Sequence, residues 1–116
     1  MILDEIKTKL EEIDPNTFYG MADKSMKDKL WNYIVFERSS LKPNSNKTSF
    51  TTTYSVHIIR EDFIPDGLEE EVINKMLEID GMRLAGNDGT YDYTAKPNTN
   101  VVIEMFSVDF IKPKKV

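Results

Sequence analysis

The chain has 116 residues, with 15 Lys plus Arg, 20 Asp plus Glu and one histidine; the formal charge is −5, and the length suits a single domain, residues 1–116, around one core. Its 40% hydrophobic and 30% charged content argues against disordered and fibrous classes, and the lack of cysteine excludes disulfides, thiolate zinc sites, iron–sulfur clusters and cysteine nucleophiles. One histidine, His57, excludes a two-histidine metal site and leaves only carboxylates for calcium or magnesium.

Residues 2–13 place Leu3, Ile6, Leu10 and Ile13 on one stripe of an amphipathic helix, ended by Asp14-Pro15. So short a helix is marginal alone in water, so its stripe must lie on a sheet. Thr17-Phe18-Tyr19 reads as a short strand closed by Gly20, and Asp23–Lys29 as a connection with one helical turn. Trp31–Arg38 is aromatic and β-branched almost throughout, the pattern of a central strand buried on both faces over Tyr33–Phe36. Ser39–Thr48 then runs through turn chemistry for longer than the roughly two to five residues of a simple hairpin, and is expected to be a flexible loop.

Ser49–Asp62 is a long strand with Phe50, Thr52, Tyr54, Val56 and Ile58 on a dry face, and Thr51, Thr53, Ser55 and His57 on a polar one. Asp66 and Glu69 form a capping-box pattern at the start of a second helix, whose stripe of Leu68, Val72, Met76 and Ile79 stops at Gly81. Met82–Ala85 and Thr90–Thr94 flank Asn87-Asp88-Gly89, where Asp88-Gly89 is expected to take the positive φ angles of a tight hairpin. Val101–Lys112 sets Val102, Phe106, Val108 and Phe110 against Ile103, Met105 and Asp109, a last long strand followed by a short basic tail, residues 112–116. The order α β β β α β β β predicts an α+β fold: a mixed, mainly antiparallel sheet of about five to six strands with two helices packed on one face.

No chemical motif stands out. His57 lies on a strand's polar face without a nucleophile motif beside it; a small α+β enzyme using His57 with Glu61 or Asp62 is the minor alternative. Glu69-Glu70-Glu71 is accounted for by the helix dipole, and Asn87-Asp88-Gly89 lacks the remaining ligands of a calcium loop. The glycines fit no phosphate-binding spacing, so no cofactor, nucleotide or metal is expected. A charge of −5 opposes tight DNA binding; the basic clusters are Lys42 with Lys47, and Lys112, Lys114 and Lys115. Acids near Met1 and the want of 18 consecutive apolar residues lead to the expectation of neither export nor a membrane span, so Asn46-Lys47-Thr48 carries no meaning as a glycosylation sequon.

Phe18-Tyr19-Gly20-Met21-Ala22-Asp23, Trp31–Phe36, Tyr54–Pro65 and Lys96-Pro97-Asn98-Thr99 resemble small phage and prophage proteins of the head-to-tail region, above all the tail terminator, or tail completion, proteins of long-tailed phages infecting Gram-positive bacteria. The resemblance implies a non-enzymatic structural protein that is monomeric or weakly associating when free. It further implies closure into a hexameric ring on the end of the tail tube, where the ring halts tube polymerisation and offers a head-tail joining surface. A head-closure or connector stopper protein is the neighbouring alternative. The implied partners are other copies of the chain, the tail tube protein and the head connector or stopper; the implied places are the bacterial host cytoplasm during assembly and then the virion head–tail interface.

On this reading, Lys42, Pro43, Asn44, Ser45, Asn46, Lys47 and Thr48 are expected at a subunit interface or the lumen, and Lys112, Lys114 and Lys115 form a docking tail. Six copies would carry −30, so DNA would pass through the lumen without specific binding; Lys42 and Lys47, if they face it, would instead bridge acids on a neighbour. Strand addition at an exposed edge is one way for copies to join.

Overall fold

A computed structural model describes residues 1–21, 31–45 and 49–115, with Lys115 traced by its backbone. The element order is the expected one: α1 (Ile2–Glu11), β1 (Thr17–Tyr19), β2 (Asn32–Pro43), β3 (Ser49–Glu61), α2 (Leu68–Leu77), β4 (Arg83–Leu84), β5 (Thr90–Ala95) and β6 (Val102–Lys115). The six strands form a mixed, mostly antiparallel sheet in the order β1-β2-β3-β6-β4, with β5 also on β6 and only β1–β2 parallel. The expected connection over Asp23–Lys29 lies outside the described residues.

Both helices lie on one face of the sheet. Ile6 and Leu10 of α1 and Val72 and Met76 of α2 are fully buried against Ile34, Phe36, Val56, Ile58, Val108 and Phe110 from the three long strands. Each such aliphatic side chain contributes roughly 1.5–3 kcal/mol by leaving water, which is what holds two ten-residue helices that are marginal on their own. The opposite, open face carries a smaller apolar cluster, Val35, Ile59 and Ile103, edged by Phe18, Trp31, Tyr33 and Met105.

One buried ion pair ties the start of β1 to the sheet. Arg60 Nη2 donates to Asp14 Oδ2 at 2.7 Å with both side chains largely buried, while Arg60 Nη1 donates to the carbonyls of Ile59 and Tyr33. Asp14 Oδ1 also accepts from Asn16 N, closing the Asx turn that ends α1.

Five expectations need correction. Ser39–Pro43 is not loop: β2 continues to Pro43, pairing Ser40–Pro43 with Thr53–Phe50 after a bulge at Ser39, so the connection is five residues, 44–48. A Thr-rich partner strand overrides the turn-like composition. The basic tail is also strand, since β6 runs to Lys115 and pairs Lys112–Lys115 with Thr52–Ser49. Met82–Ala85 and Thr90–Thr94 make no hairpin with each other; β4 and β5 dock in tandem along one edge of β6.

There, Gly86 takes the positive φ of 95°, while a Cβ on Gly89 would come within 2.4 Å of the Phe106 ring, so Gly89 is needed for close approach rather than for a turn. The capping box is not made: α2 starts from Gly67 at φ 92°, without a side-chain cap. Val102 keeps the face of Phe106 in the β6 register, but at the start of the strand it is 45% exposed.

Candidate functional site: a basic arm, a polar ladder and an acidic end

The molecule is elongated, 52 × 25 × 24 Å, because β2, β3 and β6 run on past the helix layer as a three-stranded arm. Antiparallel partners share a face. Arg38 thus lies beside Tyr54 and Phe110, Leu41 beside Thr52 and Lys112, and Pro43 beside Phe50 and Lys114, all on the helix side. Lys42, Thr51 and Pro113 lie together on the open side.

Where the arm leaves the body, Ile2, Arg38, Thr52, Tyr54, Lys112 and Lys114 line a groove of about 590 Å3. Arg38 Nε donates to Tyr19 Oη at 3.2 Å, and among the described residues no acid lies within ion-pair distance of Lys42, Lys112 or Lys114.

Of the residues expected at an interface or lumen, Lys42, Pro43, Asn44 and Ser45 fall at and beside the arm tip. Lys42, Pro43 and Ser45 are exposed. Asn44 closes the turn, its N–H donating to Ser49 O at 3.0 Å and its side-chain amide to Ser49 Oγ at 2.7 Å. Asn46, Lys47 and Thr48 lie outside the described residues, as does the Lys115 side chain. Both free edges of the arm carry lysine and proline, Lys42-Pro43 on β2 and Lys112-Pro113-Lys114 on β6. Proline offers no N–H, and edge lysines discourage pairing with another chain, so the arm is poorly made for accepting an added strand.

Across the middle of the open face runs a ladder of polar side chains. His57 Nδ1 is 2.7 Å from Ser107 Oγ and Nε2 is 3.0 Å from Glu37 Oε1; with the Nε2–H tautomer, Ser107 donates to Nδ1 and His57 donates to Glu37. Next to it, Ser55 Oγ donates to Asp109 Oδ1 at 2.6 Å, and Asn87 Nδ2 donates to Asp109 Oδ2 at 3.3 Å. The carboxylate that meets His57 is therefore Glu37 from β2, neither Glu61 nor Asp62; Glu61 pairs with Lys96 at 3.4 Å.

A serine–histidine–glutamate line has the connectivity of a hydrolytic relay. Such a relay also needs N–H donors aimed at the oxyanion and room for an acyl group at the hydroxyl. Ser107 sits mid-strand, paired to His57 on one side and Thr90 on the other, so its backbone belongs to the ladder. The arrangement satisfies three half-buried polar groups on a flat sheet face.

At the other end of the molecule the charge reverses. Glu61, Asp62, Asp66 and Glu69-Glu70-Glu71 cluster around the turn from β3 into α2. Asp62 sits at φ 72°, in the left-handed region, centred in a tight turn in which Phe63 N donates to Glu61 O at 3.0 Å. That turn leaves Phe63 68% exposed.

Tyr91 Oη donates to Glu69 Oε2 at 2.6 Å, and this hydrogen bond, with some burial, pushes the Tyr91 phenol up to about 12. Tyr93 is raised in the same way by its hydrogen bond to Glu104. Phe63 and Arg38 were not singled out from sequence. The available signal was the absence of any acid from Arg38 to Tyr54, set against the six acids and no base from Glu61 to Asn74.

No helix among the described residues is long and apolar enough to cross a membrane, and no cluster of carboxylates and histidine there is arranged to hold a metal ion. Compared by sequence, the chain matches no protein-family model and no curated protein.

Proposed function

We propose that the protein is a structural virion-assembly component that closes into a ring on the end of a phage tail tube, stops tube growth and presents the head-tail joining surface. The observation that carries this reading is the arm. It projects beyond the helix layer, lies opposite the acidic end along the 52 Å axis, and is protected at both edges against indiscriminate strand pairing. Copies meeting through two unlike surfaces form closed rings when the rotation between them permits. The polar ladder around His57 supports the same reading, because its hydrogen bonds bind three strands together across the open face.

The test is to mix the purified protein with tail tubes and with head connectors and to image both by electron microscopy. Capping of tube ends by rings with a central hole is expected. Binding to connectors without binding to tube ends would turn the assignment to a head-closure protein.

A further inference from the structure

We propose that two surfaces at opposite ends of the molecule mate between copies: Phe63, framed by acids, seats in the basic groove at the base of the arm of the next copy. This rests on the self-association reading above and names the contact it needs.

The first support is charge. From Arg38 to Tyr54 and from Phe110 to Val116 the sequence has six bases and no acid, which leaves nine of the 15 bases against all 20 acids elsewhere, a charge of −11. Among the described residues, the arm strands themselves carry Arg38, Lys42, Lys112 and Lys114 without an acid, while the start of α1 brings Asp4 and Glu5 beside Lys112. From Thr52, in the groove, to Glu61, beside the turn, β3 rises nine residues, roughly 30 Å at about 3.3 Å each. The basic and acidic ends of one copy cannot reach each other, but those of two copies can, in a contact that uses unlike patches.

The second support is shape. Asp62 holds a left-handed backbone that is unfavourable for a non-glycine residue, and the same turn leaves a phenyl ring in water. Both costs are offset if the ring is buried in a partner. The groove, about 590 Å3, has room for a phenyl ring; Ile2 and Tyr54 supply apolar walls, and Arg38, Lys112 and Lys114 supply cations for the ring face and the flanking carboxylates. A phosphate backbone would use the cations and leave the apolar walls empty, and the overall negative charge opposes its approach. A second copy fits both.

Sedimentation velocity decides it, on wild type, on a groove variant (K112E with K114E) and on a knob variant (F63A), each first checked for native circular dichroism. Wild type at millimolar concentration should assemble at about 50 mM salt and associate about tenfold more weakly at about 500 mM, where exposed charges are screened within a few ångströms. Each variant alone should stay monomeric. Mixed one to one, the variants retain one intact knob and one intact groove, so they should give heterodimers and nothing larger.

Wild type that stays monomeric throughout, variants that assemble like wild type, or a mixture that stays monomeric would each overturn the contact. So would duplex DNA binding lost in the groove variant and kept in F63A, without self-association; that result assigns the arm to nucleic acid. Tube capping separates this proposal from the reading beneath it. Variants that assemble and cap normally sink the contact alone, whereas wild type that assembles through the contact but never caps tubes sinks the tail assignment alone.

Discussion

Gly89→Ala tests the packing of β5 on β6. A Cβ at this position would stand 2.4 and 2.5 Å from two atoms of the Phe106 ring, about an ångström inside ordinary contact. The ring cannot simply swing away: Phe106 is only 6% exposed, packs into the main core and meets the Tyr91 ring at 5.0 Å between centroids. Overpacking of this kind costs about 1–3 kcal/mol. With an unfolding entropy of about 2.1 cal/mol/K per residue, a chain of 116 residues loses roughly 4 °C in Tm per kcal/mol, so the expected fall is about 4–12 °C.

Thermal and urea unfolding of wild type, G89A, F106L and the double variant form a cycle. Replacing Phe106 by leucine removes the ring atoms that the new methyl would strike, so Gly89→Ala should cost about 1–2 kcal/mol less in that background. A G89A protein within about 0.5 kcal/mol of wild type, or a penalty that persists unchanged in the F106L background, would refute the argument.

Three further outcomes are expected. Asp14→Ala leaves the largely buried Arg60 guanidinium without its carboxylate and should cost about 3–5 kcal/mol in urea unfolding; a loss below about 1 kcal/mol would show the pair to be solvated. Tyr91 should titrate near 12 by absorbance of the phenolate, falling toward about 10 in E69Q. Because its folded value is raised, the stabilisation it gives is complete below about pH 10 and lost as pH climbs from about 10 through 12; Tyr91→Phe should flatten the stability curve in that window. Asp62→Gly relieves a left-handed backbone and should raise stability by about 1 kcal/mol while loosening the presentation of Phe63, so self-association should weaken as Tm rises.

The fold was legible wherever burial imposed a period. Leu10, Val72 and Met76 announce helix stripes, and Tyr54, Val56 and Ile58 announce one face of β3, because each packs on the same layer. Ser39–Pro43 misled because its residues are turn formers by local preference, and only the distant Thr51–Thr53 and Lys112-Pro113-Lys114 make them a strand. Asp88-Gly89 misled for a related reason: the glycine serves Phe106, a neighbour in space from another strand, rather than its own turn. The candidate site was half legible. The lysines of the arm were visible as clusters, but that Lys112, beside Thr52, stands roughly 30 Å from Glu61 depends on the direction of β3, which no local pattern reports.

The sheet's hub is its last strand to be synthesised. β6 receives β3 on one side and β4 and β5 on the other, and its pairs with β3 join residues 42 to 66 positions apart. Until it leaves the ribosome, the long β3 has β2 alone for company and keeps a bare edge, so productive collapse of the sheet awaits β6. Nascent copies crowded on one message are thus most prone to cross-pairing just before β6 emerges.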